Sequence, residues 1–283
     1  PSATANSAGA QSYGGVHSPD ISGNIRIDQA WGLFQISAIA HEVVASYNVL
    51  GASGVSINGS ETSGHPDTKW GGAVMAALNI KNIPTGAGDD IKIDATYAKG
   101  DTKEVIATSA GSPSFVMFGS TGLAGGYQSI GFGQTADAVF LPVAAGGTGD
   151  IKLVSSYGIR GAFNHNWDPY WSSSLFGSYS AVRYGGSATD ITTGKGQWCN
   201  NFNTGKVVTY TCDPDFNIAQ LGVVTRWTPV KNLTFSAEVM WTHLDQKFAG
   251  SAILTPTAPK PTAVYEFKDQ DTVSFNVRAQ RNF

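Results

Sequence analysis

The feature that most constrains this chain is an alternation of apolar and polar residues with a period of two, repeated along most of its length. In ISGNIRIDQ, Ile21, Gly23, Ile25 and Ile27 share one side, and Asn24, Arg26 and Asp28 share the other. LFQISAIAH repeats the pattern with Phe34, Ile36, Ala38 and Ala40 against Gln35, Ser37 and His41. Successive side chains of a strand point to opposite faces, so such runs make strands with one oily and one wet side. Further runs over 70–80, 91–97, 151–164, 171–183, 216–227, 233–242 and 272–283 bring the count to about nine. The connections alternate in length. Short ones lie near residues 30, 85, 167 and 230, and long polar ones cover roughly 44–67, 100–149, 185–213 and 247–268.

A soluble β-sandwich also alternates, so the period alone leaves two architectures open. No run of about 18 apolar residues is present for a membrane-spanning helix, but a spanning strand needs only about 9–11 residues. Sorting of loops into short and long sets is expected of an all-β, antiparallel up-and-down transmembrane barrel and has no purpose in a sandwich. The aromatic residues agree. Trp31, Trp167, Tyr170, Trp171 and Trp227 fall by the short turns; Trp70, Tyr97, Tyr184 and Trp241 fall toward the long loops; and Phe283 closes the last alternating run. Rings at both ends of the strands are the expected girdles at two headgroup levels.

The polar parity carries Ser, Thr, Asn and Gln with a set of bases, Arg26, Lys69, Lys92, Lys152, Arg160, Arg226 and Arg278, and fewer acids, Asp28, Asp94 and Glu238. On a barrel this is the lining of a water-filled bore, where Arg26, Arg160 and Arg278, at similar heights above the short turns, either form a basic wall that biases ion passage or are solvated charges paired with neighbouring acids, with little effect on conductance. Ile39, Met75, Phe176, Ile218 and Met240 break the parity, for which bulges or a folded-in loop are the two explanations. Cys199 and Cys212 lie close together in one loop-like stretch and are expected to form a disulfide. The five histidines make no HExxH-type pair, and neither GxSxG nor a phosphate-binding loop occurs, so no catalytic, metal or cofactor site is expected. His243 beside Asp245 reads as polar lining at the barrel mouth. A net charge of −3 offers no basis for binding nucleic acid.

Several segments resemble the alphaproteobacterial porin family of the rhizobial type: PDISGNIRIDQAWGLFQISAIAH, ETSGHPDTKWGGAV, NIKNIPTGAGDDI, AFNHNWDPYW, DPDFNIAQLGVVTRWTPVKNLTFSAEVMWTHLDQKFAG and KDQDTVSFNVRAQRNF. The resemblance spans most of the chain and is weakest at 44–62, 101–150 and 250–262. It implies a homotrimer of 16-stranded barrels in the bacterial outer membrane, in contact with lipid and lipopolysaccharide, passing small hydrophilic solutes and ions by passive diffusion. Family members carry further strands before the segment matching Pro19, and an early acidic loop in the lumen, neither of which is legible here. Residues 1–283 are therefore expected to form a single barrel domain corresponding to strands 8–16. A substrate-specific channel of the same fold and a secreted β-sandwich binding module are the competing expectations.

Overall fold

The computed structural model describes residues 17–45, 66–106, 114–141 and 146–282, together with the backbone of short strands at Thr4–Ala5, Asn48–Leu50 and Ser56–Asn58. Nine long strands dominate it: β1 (Ile21–Gln29), β2 (Gly32–Val43), β3 (Lys69–Lys81), β4 (Asp90–Lys99), β5 (Ser155–Asn166), β6 (Trp171–Arg183), β7 (Phe216–Val230), β8 (Leu233–Gln246) and β9 (Gln270–Arg281). Each pairs antiparallel with its neighbours in sequence, giving one up-and-down sheet in the order β1 to β9. β1 and β9 are its margins and do not pair with each other. The short turns behave as their residues require. Lys231 and Asn232 alone separate the paired Val230 and Leu233, and Asn232 takes the left-handed φ of 67° that Asn tolerates better than most residues. Gly32 is needed where β2 meets β3, because a Cβ there would lie 2.2 Å from the Asn79 carbonyl oxygen.

Register carries the alternation from strand to strand without slippage over most of the sheet. One row runs Ile25, Ile36, Ala76, Ala95, Ile159, Tyr179 and Ala219 across β1 to β7. The next row toward the long loops on the opposite face runs Asn24, Ser37, Met75, Thr96, Gly158, Ser180 and Ile218. The apolar face is open to its surroundings: Ile25 is 73 % exposed, Leu221 54 % and Phe275 67 %. An apolar surface spread over nine strands far exceeds the few hundred Å² that a soluble monomer leaves bare, and in water it would drive aggregation.

The long connections differ from expectation, because they are not plain polar loops. They contribute a second, five-stranded sheet (Tyr210–Thr211, Ala249–Leu254, Ala263–Phe267, Gln128–Gln134, Ser114–Gly119), a three-stranded one (Thr4–Ala5, Ala138–Phe140, Ile151–Leu153) and one helix, α1 (Gly194–Asn203). These elements lie on the polar face of the wall at its long-loop end. Val182, Phe216, Leu244 and Gln270, all of that parity, are buried beneath them. Phe115 packs edge-on against Phe216 at 5.4 Å, and Gln270 donates to the Ser129 hydroxyl at 3.0 Å. The cap has its own core, with Trp198, Phe202 and Phe248 around Phe132. A Cys199–Cys212 disulfide ties α1 to the chain returning toward β7, as expected from their spacing. Thr193 caps the helix by accepting from the Gly196 N–H at 3.1 Å.

The folded-in cap accounts for part of the broken parity, since Met75 lines a cleft shared with the inner turn at Lys103 and Glu104. Phe176 has a different cause. Its ring lies across Gly222 on β7, where an added Cβ would approach it to 2.5 Å. The apolar ring thus covers bare backbone on the adjacent strand.

Candidate pore wall

The inner face of the sheet, meaning the side that holds the cap, gathers most of the charges expected there. Arg26, Asp94 and Arg160 occupy one cross-strand row with Gln35, Ala77, Ser178, Gln220 and Thr242. The charges are paired. Arg160 reaches Asp94 directly across the strands at 2.8 Å, Arg26 reaches Asp28 at 3.1 Å, and Lys92 reaches Asp90 at 2.8 Å. Asp28 also receives Lys81 at 2.8 Å. Arg226 donates instead to the Ser174 hydroxyl at 2.6 Å, and Glu238 accepts from Asn276 at 3.2 Å. Exposed pairs of this kind contribute only about 0–1 kcal/mol each, so their main physical effect is on the potential felt by ions alongside.

One expected wall position needs correction. Lys152 is not on the wall: the run 151–164 breaks at Val154, and Lys152 lies on the short Ile151–Leu153 strand opposite Val139, paired with Asp150 at 3.2 Å. The break arises because the Val154 N–H donates to the Asp137 carbonyl of the cap, not to a wall strand. Arg278 stands at a similar height above the short turns to Arg26, but on a different cross-strand row, because the rows shift along the strands from one to the next. It pairs with Ser236 from the margin strand β9. Lys69 keeps the expected face, at the long-loop end of β3 opposite Val43. Lys81 and Asp90 are additions, a directly opposed pair that was missed because each lies one residue beyond the alternating run. Lys103 and Glu104 are also new. They come from a turn of the cap and share a cleft of about 500 Å³ with Asn24, Ser37 and Arg160.

Trp31, Trp70, Tyr97, Trp167, Tyr170, Trp171, Trp227 and Trp241 are all exposed near strand ends, between 39 % and 66 %. Trp171, Trp227 and Phe235 stack in a ladder across β6 to β8 at 5.8 and 5.6 Å, just above the short turns. Tyr184 is the exception and a further correction. It is 2 % exposed inside the cap, where its hydroxyl donates to the Gln134 carbonyl at 2.7 Å, and burial pushes its phenol well above the ordinary range. The parity of β6 ends at Arg183, so Tyr184 turns inward with the chain. Phe283 lies outside the described residues. His243 is not at the mouth either: it sits on the outward face and shares Asp271 with the Trp241 indole N–H, each at 2.9 Å.

Two carboxyls off the wall strands have displaced acidities. Asp89, in the turn before β4, accepts from the Thr85 hydroxyl, the Asn166 N–H and His165, which together lower it to about 2. Asp101, where the chain leaves β4 for the cap, is pushed up to about 6 by burial, against the pull of His41. Among the described residues no group of three or more His, Cys, Asp or Glu is arranged to hold a metal ion.

No curated protein and no solved structure matches this chain. A family model described as a porin subfamily matches residues 2–276. The nine-stranded antiparallel wall, with its apolar outer face and charged, hydrogen-bonded inner face, is the architecture that such a family requires. The chain belongs to the porin subfamily, which points to an outer-membrane channel rather than an enzyme.

Proposed function

We propose that this porin conducts small hydrophilic solutes and ions by passive diffusion. The observation that carries the reading is the division of the wall into a largely apolar outer face and an inner face lined by Arg26, Asp28, Lys92, Asp94 and Arg160. An up-and-down sheet closes antiparallel only on an even number of strands. The wall therefore closes with an odd number of further strands between β9 and β1, in keeping with the family's 16 and with residues 17–282 as one stretch of a single barrel. The resemblance to alphaproteobacterial porins supports a homotrimer surrounded by outer-membrane lipid and lipopolysaccharide.

The basic residues of the inner face set a preference for anions. Arg160 is offset by Asp94, whereas Arg278 has no ion pair among the described residues, so Arg278 carries the larger share. The test is planar-bilayer recording in a salt gradient. Conductance that rises linearly with concentration, without saturation by any one solute, is expected. Arg160→Gln with Arg278→Gln shifts the reversal potential toward cations. Unchanged reversal potentials would overturn the selectivity, and saturable flux would replace general diffusion with a solute-specific channel.

A further inference from the structure

The outward face of β4 to β6 carries a depression that solute passage does not use. A cavity of about 670 Å³ opens there, walled by Ile36, Ala95 and Ile159 and rimmed by Tyr97, Tyr157 and Tyr179. Its size is that of a small-molecule site, roughly 300–1,000 Å³, and it faces away from the inner polar side.

Register sets a charged row directly beyond the rim. Ser155 pairs with Lys99 on one side and with Arg183 on the other, one step past Tyr97 and Tyr157 toward the long loops. Arg183 donates only to neutral oxygens: the carbonyls of Val182 and Phe216 at 2.8 and 3.0 Å, the Asn217 amide oxygen at 2.5 Å and the Tyr157 hydroxyl at 3.3 Å. Its charge is oriented but not neutralised. Lys99 is exposed and has no ion pair among the described residues. From the wall outward the order is an apolar slot, phenol hydroxyls, then two uncompensated cations. An anionic membrane lipid presents the same order as acyl chain, ester and phosphate.

We propose that this depression binds one phosphate-bearing, acylated lipid, with a chain in the slot and the phosphate against Lys99 and Arg183. The proposal rests on the wall being membrane-spanning, and charge complementarity at the rim selects an anionic lipid over a zwitterionic one. Each cation near a membrane surface is worth about fivefold in anionic-lipid binding.

The full porin, extracted from outer membranes in mild detergent, is equilibrated with phosphatidylglycerol or phosphatidylcholine, and the retained lipid is counted by native mass spectrometry. One phosphatidylglycerol per chain, in preference to phosphatidylcholine, is expected. Lys99→Gln lowers that preference about fivefold, and Lys99→Gln with Arg183→Gln abolishes it. Ala95→Phe, on the exposed face, fills the slot and removes both lipids while leaving single-channel conductance unchanged. Equal retention of the two lipids by the wild type overturns the site, as does full retention by Ala95→Phe. Loss of the oligomer in Ala95→Phe overturns it too, by making a second copy of the chain the occupant. Absent conductance in every variant would refute the channel without touching the lipid counts, so the two failures are distinguishable.

Discussion

Val223 on β7 offers a direct test of which face meets the membrane. It is outward and 46 % exposed, between Ala219, the cross-strand partner of Tyr179, and Trp227 in the turn-side ladder. That interval corresponds to roughly 27 Å of strand. At a tilt of about 40° it spans roughly 20 Å of height, close to the ~25 Å apolar band of a barrel. Val223 lies at its centre. A lysine there faces hydrocarbon and costs about 2–4 kcal/mol, or roughly 30- to 700-fold in the folding equilibrium. Gln220 is on the opposite face, hydrogen-bonded to Ser178 and Thr242. Gln220→Lys keeps its charge in water and changes stability by no more than about 0.5 kcal/mol. Reversible urea unfolding from phosphatidylcholine vesicles, followed by Trp fluorescence, measures both variants. Equal costs, or a larger cost for Gln220→Lys, would refute the assignment of faces on which the channel depends.

Three further outcomes follow from the cap and turns. Replacing Cys199 and Cys212 by Ser frees a loop whose ends lie 13 residues apart, costs about 3 kcal/mol in the chain-entropy model, and raises amide exchange in α1 roughly a hundredfold while the wall strands stay protected. The Asp89 anchor, lowered from 3.8 to about 2, is fully present above pH 4 and fails as pH falls through 2. Pepsin therefore cleaves the 82–89 turn of the wild type only at the acid end of that range, and cleaves Asp89→Asn throughout it. Asp101 runs the other way. Its pKa, raised from 3.8 to about 6, favours the protonated form in the fold, and the penalty grows as pH rises from 4 through 6. Asp101→Asn consequently protects the inner turn at 102–106 from protease at pH 7.5 and makes no difference at pH 4.

How much of this protein its sequence determined is clearest residue by residue. Ile25, Ile159 and Val223 announced their face by parity alone, because a strand leaves each side chain only two directions. The same rule located Arg26, Asp94 and Arg160 on the inner face, and the short turns between β1 and β2, β5 and β6, and β7 and β8 followed from the punctuation between runs. Lys81 and Asp90 escaped because alternation weakens at strand ends. Lys152 and Tyr184 were misplaced because period two says nothing about where a strand breaks and turns inward.

Local pattern thus determined the wall, since each strand meets its two environments with its own residues. Only the tertiary structure decided that the long connections fold back as a capped, disulfide-tied second layer, that Arg160 meets Asp94 on the neighbouring strand, and that Lys99 and Arg183 flank one serine. Those facts depend on register between segments up to dozens of residues apart, and no local period encodes such distances.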